Sequence, residues 1–221
     1  MKKLLGLLVL GLLLSGKAYG EDLNHCSVAS GDISGTSSGS PLDNTYTCQD
    51  NQTFVLDGDE YVSGDSARIT ASNDNLTINI SGNILATGSG NVITGTNYDT
   101  VTVTNQSTGL IQGSANGIQL DRGDAWEIDN YGDIYAVTAK TINNKGADNT
   151  QITNRSGAKI RTDGQNAIII QDGASSNASE TFTLDNYGDI TAKYNAIKIA
   201  GATTGVTINN YSGASIEATD T

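Results

Sequence analysis

The chain is poor in what helical, metal-binding and nucleic-acid-binding proteins need. Its 221 residues include one proline, one histidine (His25), two cysteines and 5% aromatics. Cations are scarce as well: 12 Lys and Arg face 24 Asp and Glu, for a formal charge of −12. Nothing in such a chain neutralises a run of phosphates, so nucleic acid is excluded as a partner. Gly, Asn, Thr and Ser prevail where Ala, Leu, Glu and Lys would build a helical bundle. A lone histidine and no metal-binding nonapeptide repeat give no metal site, and the sequence calls for no cofactor. Ile, Val and Leu nevertheless recur in order, which argues against disorder.

One apolar run is long, and it sits at the start. Met1-Lys2-Lys3 is a positive n-region, Leu4 to Leu14 is apolar apart from glycines, and Ala18-Tyr19-Gly20 is a small-residue cleavage box. Eleven residues are too few for a bilayer span of about 20. Residues 1–20 therefore read as a secretory signal peptide, cut before Glu21. Removing Lys2, Lys3 and Lys17 leaves 9 cations against 24 anions, or −15. Export also suits Cys26 and Cys48, which persist as a disulfide in an oxidising compartment. That bridge would staple an N-terminal cap over residues 21–69 and contribute about 3 kcal/mol. A free thiol pair is the alternative.

Repeats organise residues 70–221. A turn of the form Asn, spacer, Gly, spacer, Ile recurs, with Asn105, Asn130, Asn154, Asn186 and Asn210 opening successive copies. Ile84, Ile111, Ile134, Ile160, Ile190 and Ile216 close them, 27, 23, 26, 30 and 26 residues apart. Periods in the twenties indicate a solenoid. Alternating pairs precede the turns (Val101 and Val103, Trp126 and Ile128, Phe182 and Leu184, Val206 and Ile208), as on strands with one face inward. A third apolar position follows each Ile: Ile93, Ile118, Ile142, Ile168 and Ile197. Three short strands and three corners per repeat predict a parallel β-helix of about six coils, with those isoleucines as its core. Asn at the corners suits left-handed backbone and side-chain ladders, and Gly132, Gly157, Gly188 and Gly213 suit positive φ. A β-sandwich shares the composition but not the constant register.

The leader, the cap-like start, the Asn-x-Gly-x-Ile coils and the Asn-Ala-Ile spots resemble the passenger region of a bacterial autotransporter. The resemblance covers roughly residues 70–221. It implies a right-handed, pertactin-like parallel β-helix carried to the cell surface by a C-terminal outer-membrane barrel. No amphipathic barrel strands follow Ile216, so the sequence reads as an N-terminal fragment of a longer protein, the alternative being a partner that covers the open solenoid end.

Catalytic signals are weak. Gly35-Thr36-Ser37-Ser38-Gly39 matches a nucleophile elbow, but no helix follows it and His25 is the sole candidate base. Asp133 and Asp189 share a register two coils apart, about 9.6 Å at 4.8 Å per coil, beyond a retaining pair and at the margin for an inverting one. The expectation is a non-catalytic adhesin or structural stalk at the cell surface or outside the cell, with an extracellular protein or carbohydrate as ligand. A carbohydrate-active enzyme, either a polysaccharide lyase or a hydrolase, is the alternative. Candidate contacts are Tyr187 and Tyr211, one coil apart and positioned to stack, and the exposed tripeptide Arg122-Gly123-Asp124. Residues 143–150 and 171–180 break the period and should loop outward.

Overall fold

The computed structural model describes residues 27–28, 46–48, 51–56, 61–64, 69–71, 74–96, 99–171, 181–201 and 205–220. Every regular element among them is a strand, and no helix is long and apolar enough to cross a membrane. The strands form three sheets whose members recur every third element. The first sheet stacks β2 (Tyr46–Cys48), β5 (Ile69–Ala71), β8 (Ile93–Thr96), β11 (Ile118–Asp121), β14 (Lys140–Lys145), β17 (Asn166–Gln171) and β20 (Asn195–Ala200). The second stacks β3 (Thr53–Leu56), β6 (Leu76–Ile80), β9 (Asp99–Asn105), β12 (Asp124–Asn130), β15 (Thr150–Asn154), β18 (Thr181–Asn186) and β21 (Gly205–Asn210). The third stacks β4 (Tyr61–Gly64), β7 (Asn83–Ala86), β10 (Leu110–Gly113), β13 (Asp133–Ala136), β16 (Lys159–Thr162), β19 (Asp189–Ala192) and β22 (Ser215–Ala218). All of these pair in parallel, which makes the chain a parallel β-solenoid of about six turns. β1 (Ser27–Val28) is the exception, lying antiparallel on β2.

The isoleucine column is the core, in the register read from the sequence. Ile84, Ile111, Ile134, Ile160, Ile190 and Ile216 are direct partners from strand to strand along the third sheet. The first five are fully buried, and Ile216 packs against the core in the last described coil. Ile93, Ile118, Ile142 and Ile168 form a second such line, paired onward to Ile197. Trp126 and Phe182 fill the second sheet's inner face. Each buried Ile removes about 1.5–3 kcal/mol worth of apolar surface from water, and no coil buries its own alone.

The corner asparagines do one of the two jobs expected of them. Asn105 Nδ2 donates to Asn130 Oδ1 (2.8 Å), Asn130 to Asn154 (2.9 Å), Asn154 to Asn186 (2.8 Å) and Asn186 to Asn210 (2.8 Å). This is a continuous amide ladder, buried over its first four members. None of the five has positive φ; they end strands, and the left-handed role falls to Asn51, Asn75, Thr100, Arg122, Ala125 and Asn149. The turn glycines divide in the same way. Gly157 and Gly213 have φ of +80° and +87°, as expected, whereas Gly132 and Gly188 do not. At Gly188 a Cβ would lie 2.4 Å from the Ala158 carbonyl oxygen, so close stacking of coils excludes a side chain there. Two separate asparagine pairs stand at another corner: Asn116 donates to Asn91 and Asn195 to Asn166, both at 2.8 Å, with Lys140 at the register position between the pairs.

Three further expectations meet the structure here. Stacking in register includes β2, β3, β4 and β5, so these four strands of the coils fall at or before residue 71, mostly within the region 21–69 assigned to the cap. Residues 143–150 do not simply loop outward. Asn143, Asn144, Ala147 and Thr150 are buried, and Asn144 bonds the Ala147 backbone and Thr150 Oγ1, closing a polar corner inside the wall. Cys48 is buried at the end of β2, while Cys26, the signal peptide, residues 172–180, His25 and Gly35–Gly39 lie outside the described residues.

Candidate interaction surface

Side chains that alternate outward from the strands repeat at one per coil, so the exterior is a set of columns. The most structured column follows the asparagine ladder at the corner between the second and third sheets. Gln106, Tyr131, Arg155, Tyr187 and Tyr211 occupy it. Each donates its backbone N–H to the preceding coil's strand end, on Ile80, Asn105, Asn130, Asn154 and Asn186, at 2.7–2.9 Å. The backbone ladder thus fixes the spacing of the side chains above it.

The expected stack of Tyr187 and Tyr211 is present, with ring centroids 4.1 Å apart and planes within 6° of parallel. Below them the Arg155 guanidinium lies 5.3 Å from the Tyr131 ring centroid. Asp129 holds that guanidinium from the side, at 2.6 Å to Nε and 3.0 Å to Nη2. This hydrogen-bonded pair raises the Arg155 pKa above its ordinary value. Tyr211 Oη reaches Asp185 Oδ1 at 3.2 Å. Its phenol is pushed up to about 12, first by the hydrogen bond with Tyr187, then by burial and by Asp185. The column is therefore a line of flat groups facing one another along the rod axis. Sugar rings bind aromatic faces, and the Tyr187 and Tyr211 faces that meet in the stack are closed to them. Ring edges, hydroxyls and the guanidinium remain, on residues about 40% exposed.

A second Tyr–Arg pair, not anticipated from the sequence, stands on the third sheet. Arg161 lies 4.0 Å over the Tyr135 ring and binds Asp133 through Nε (2.9 Å) and Nη2 (2.8 Å). Tyr135 donates to Asp163, and burial, then that bond, raise its pKa. Tyr135 and Arg161 are direct register partners, each directly after the inward Ile of its turn, so the repeat alignment that ranked Tyr187 and Tyr211 holds the signal for this pair too.

The remaining sequence candidates among the described residues are Asp133, Asp189, Arg122 and Asp124. Asp133, Lys159 and Asp189 are consecutive register partners, as the spacing required. Asp133 is ion-paired with Arg161, while Asp189 accepts from Ser215 Oγ at 2.8 Å. Arg122 and Asp124 are exposed on a sharp corner with φ of 65° at Arg122 and 102° at Gly123. Asp124 is engaged by the Asn149 amide, which pins that carboxylate to the neighbouring coil. Among the described residues, no three His, Cys, Asp or Glu side chains are placed to hold a metal ion. No family model matches the chain, and neither a curated protein nor a solved structure matches it.

Proposed function

We propose that this chain is the passenger part of an exported protein, displayed at the cell surface or released, and that it acts as an adhesin or structural stalk without catalysing a reaction. One observation carries the reading: three parallel sheets stack without interruption from β2 to β22. Such a rod presents the same outward columns along its whole length, a geometry that solenoids commonly use for extended binding surfaces. The signal-peptide layout of residues 1–20 supports export, and the likeness to autotransporter passengers supports a right-handed coil and an outer-membrane barrel in the full-length protein. The ligand class is an extracellular protein or a carbohydrate, met through hydroxyl and ring edges. Pairing of Asp133 with Arg161 weighs against the alternative of a polysaccharide lyase or hydrolase.

Protease shaving of intact native cells tests the proposal. Antibody against residues 99–171 should detect the chain in the surface or medium fraction, and external protease should remove the cell-bound part. A chain confined to the cytoplasm and protected from protease would refute the export reading. Incubation of the purified chain with acidic polysaccharides should yield no shortened products; turnover would replace the stalk with an enzyme.

A further inference from the structure

We propose that Tyr187 and Tyr211 form an oxidative cross-linking site, at which a peroxidase and hydrogen peroxide join the two rings through a carbon–carbon bond. The inference stands on geometry and is independent of how the chain is exported. The rings lie face to face at 4.1 Å between centroids and 6° between planes, at van der Waals contact for aromatic carbons. The two tyrosines directly follow the register partners Asn186 and Asn210, and Tyr187 heads the groups that raise the Tyr211 phenol, so the two rings point the same way. Parallel rings in the same orientation place the carbons ortho to one hydroxyl over those of the other, and ortho carbons are where phenoxyl radicals couple. Both residues are 39% exposed, open to an oxidant from solvent.

The coupling balances with that one oxidant. Each phenol loses one electron and one proton, and the Asp185 carboxylate that accepts the Tyr211 hydroxyl stands where the departing proton can go. The two radicals form one bond between ortho carbons. Each joined carbon then gives its remaining hydrogen, as a proton, back to a phenolic oxygen, which restores both aromatic rings. Overall the pair loses two hydrogens, and hydrogen peroxide takes both to give two waters.

The product would close β19, β20 and β21 into one covalent ring, since all three strands lie between residues 187 and 211. Among the tyrosines whose side chains are described, no other is so placed, and Tyr46 packs edge-on against Phe54. Tyr131 faces Arg155 and Tyr135 faces Arg161, while the ring of Tyr194 is flanked by Lys193.

The test treats the purified chain with peroxidase and hydrogen peroxide and maps peptides by mass spectrometry. One crosslinked pair should join the Tyr187 and Tyr211 peptides, two hydrogens lighter than their sum, with blue dityrosine fluorescence and a yield independent of protein concentration. Tyr187→Phe and Tyr211→Phe should each abolish that product, and Tyr131→Phe should leave it unchanged. Phenylalanine keeps the stack, and an unchanged circular dichroism spectrum confirms that each variant is folded. Links that map to Tyr194, or that grow with protein concentration, would overturn the proposal. So would the absence of any 187–211 product under conditions that couple free tyrosine.

Discussion

Replacing Asn154 by alanine is the sharpest perturbation of the amide ladder. Asn154 is fully buried; it accepts from Asn130 Nδ2 at 2.9 Å and donates to Asn186 Oδ1 at 2.8 Å and to the Asp189 carbonyl at 3.3 Å. Truncation removes all three bonds. Asn130 Nδ2 keeps the Lys159 carbonyl at 3.0 Å, and Asn186 Oδ1 keeps the Gly188 N–H at 3.3 Å, so neither is wholly orphaned. The Asp189 carbonyl loses only a side-chain donor. Two lost side-chain bonds at about 1 kcal/mol each, with one long bond and a small cavity added, give about 2–4 kcal/mol. Asn210 ends the ladder in an exposed position, and Asn210→Ala should cost less than about 1 kcal/mol. Urea unfolding followed by circular dichroism measures both, through the midpoint shift at constant slope. Equal losses for the two variants, or none for Asn154→Ala, would refute a load carried by the buried ladder.

Gly95→Ala should destabilise by about 1–3 kcal/mol or more, because its Cβ would lie 2.1 Å from Trp126 Cζ2. Adding Trp126→Phe should recover part of the loss, as a double-mutant cycle in urea would show. Asp148 has a carboxyl pKa raised from the ordinary 3.8, by burial first and then by Asp124. The folded state thus holds its proton to higher pH than the unfolded chain, so this group's contribution to stability falls as pH rises from about 3.8 through the raised value. Asp148→Asn should flatten that slope and raise stability at neutral pH; an unchanged pH–stability curve would count against the raised pKa. The sequence reading joins Cys26 to Cys48 in a disulfide. The intact mass of the exported chain should be two hydrogens below the reduced value, and alkylation without reductant should add nothing.

The core was legible because a solenoid repeats its constraint. One inward Ile per coil, seen six times, gives register as well as secondary structure, and every predicted partner pair was found. The earliest coil was harder to read for a specific reason. The column that holds asparagine from Asn105 onward holds Leu56 and Ile80 before it. An alignment keyed on Asn therefore starts late, and Asn105 Oδ1 is left buried without a partner above an isoleucine. Buried Asn143 and Asn144 were misread because polarity in a period break suggests a loop, whereas here Asn144 satisfies the corner's own backbone and Asn143 accepts from Gln171 on the next coil. The tyrosine stack followed from spacing alone. The arginine partners did not, since no repeat pattern says which neighbouring carboxylate will hold a guanidinium in place over a ring.

Distances between outward positions on the third sheet test the stacked-coil account most directly. Leu85, Gln112, Tyr135, Arg161, Thr191 and Glu217 are successive register partners. Spin labels at 85 paired with 161, 191 or 217 should give electron–electron distances that increase by about 4.8 Å per coil, the label arms cancelling in the differences. Distances that stay constant, or that change without that regular increment, would contradict a single parallel cylinder.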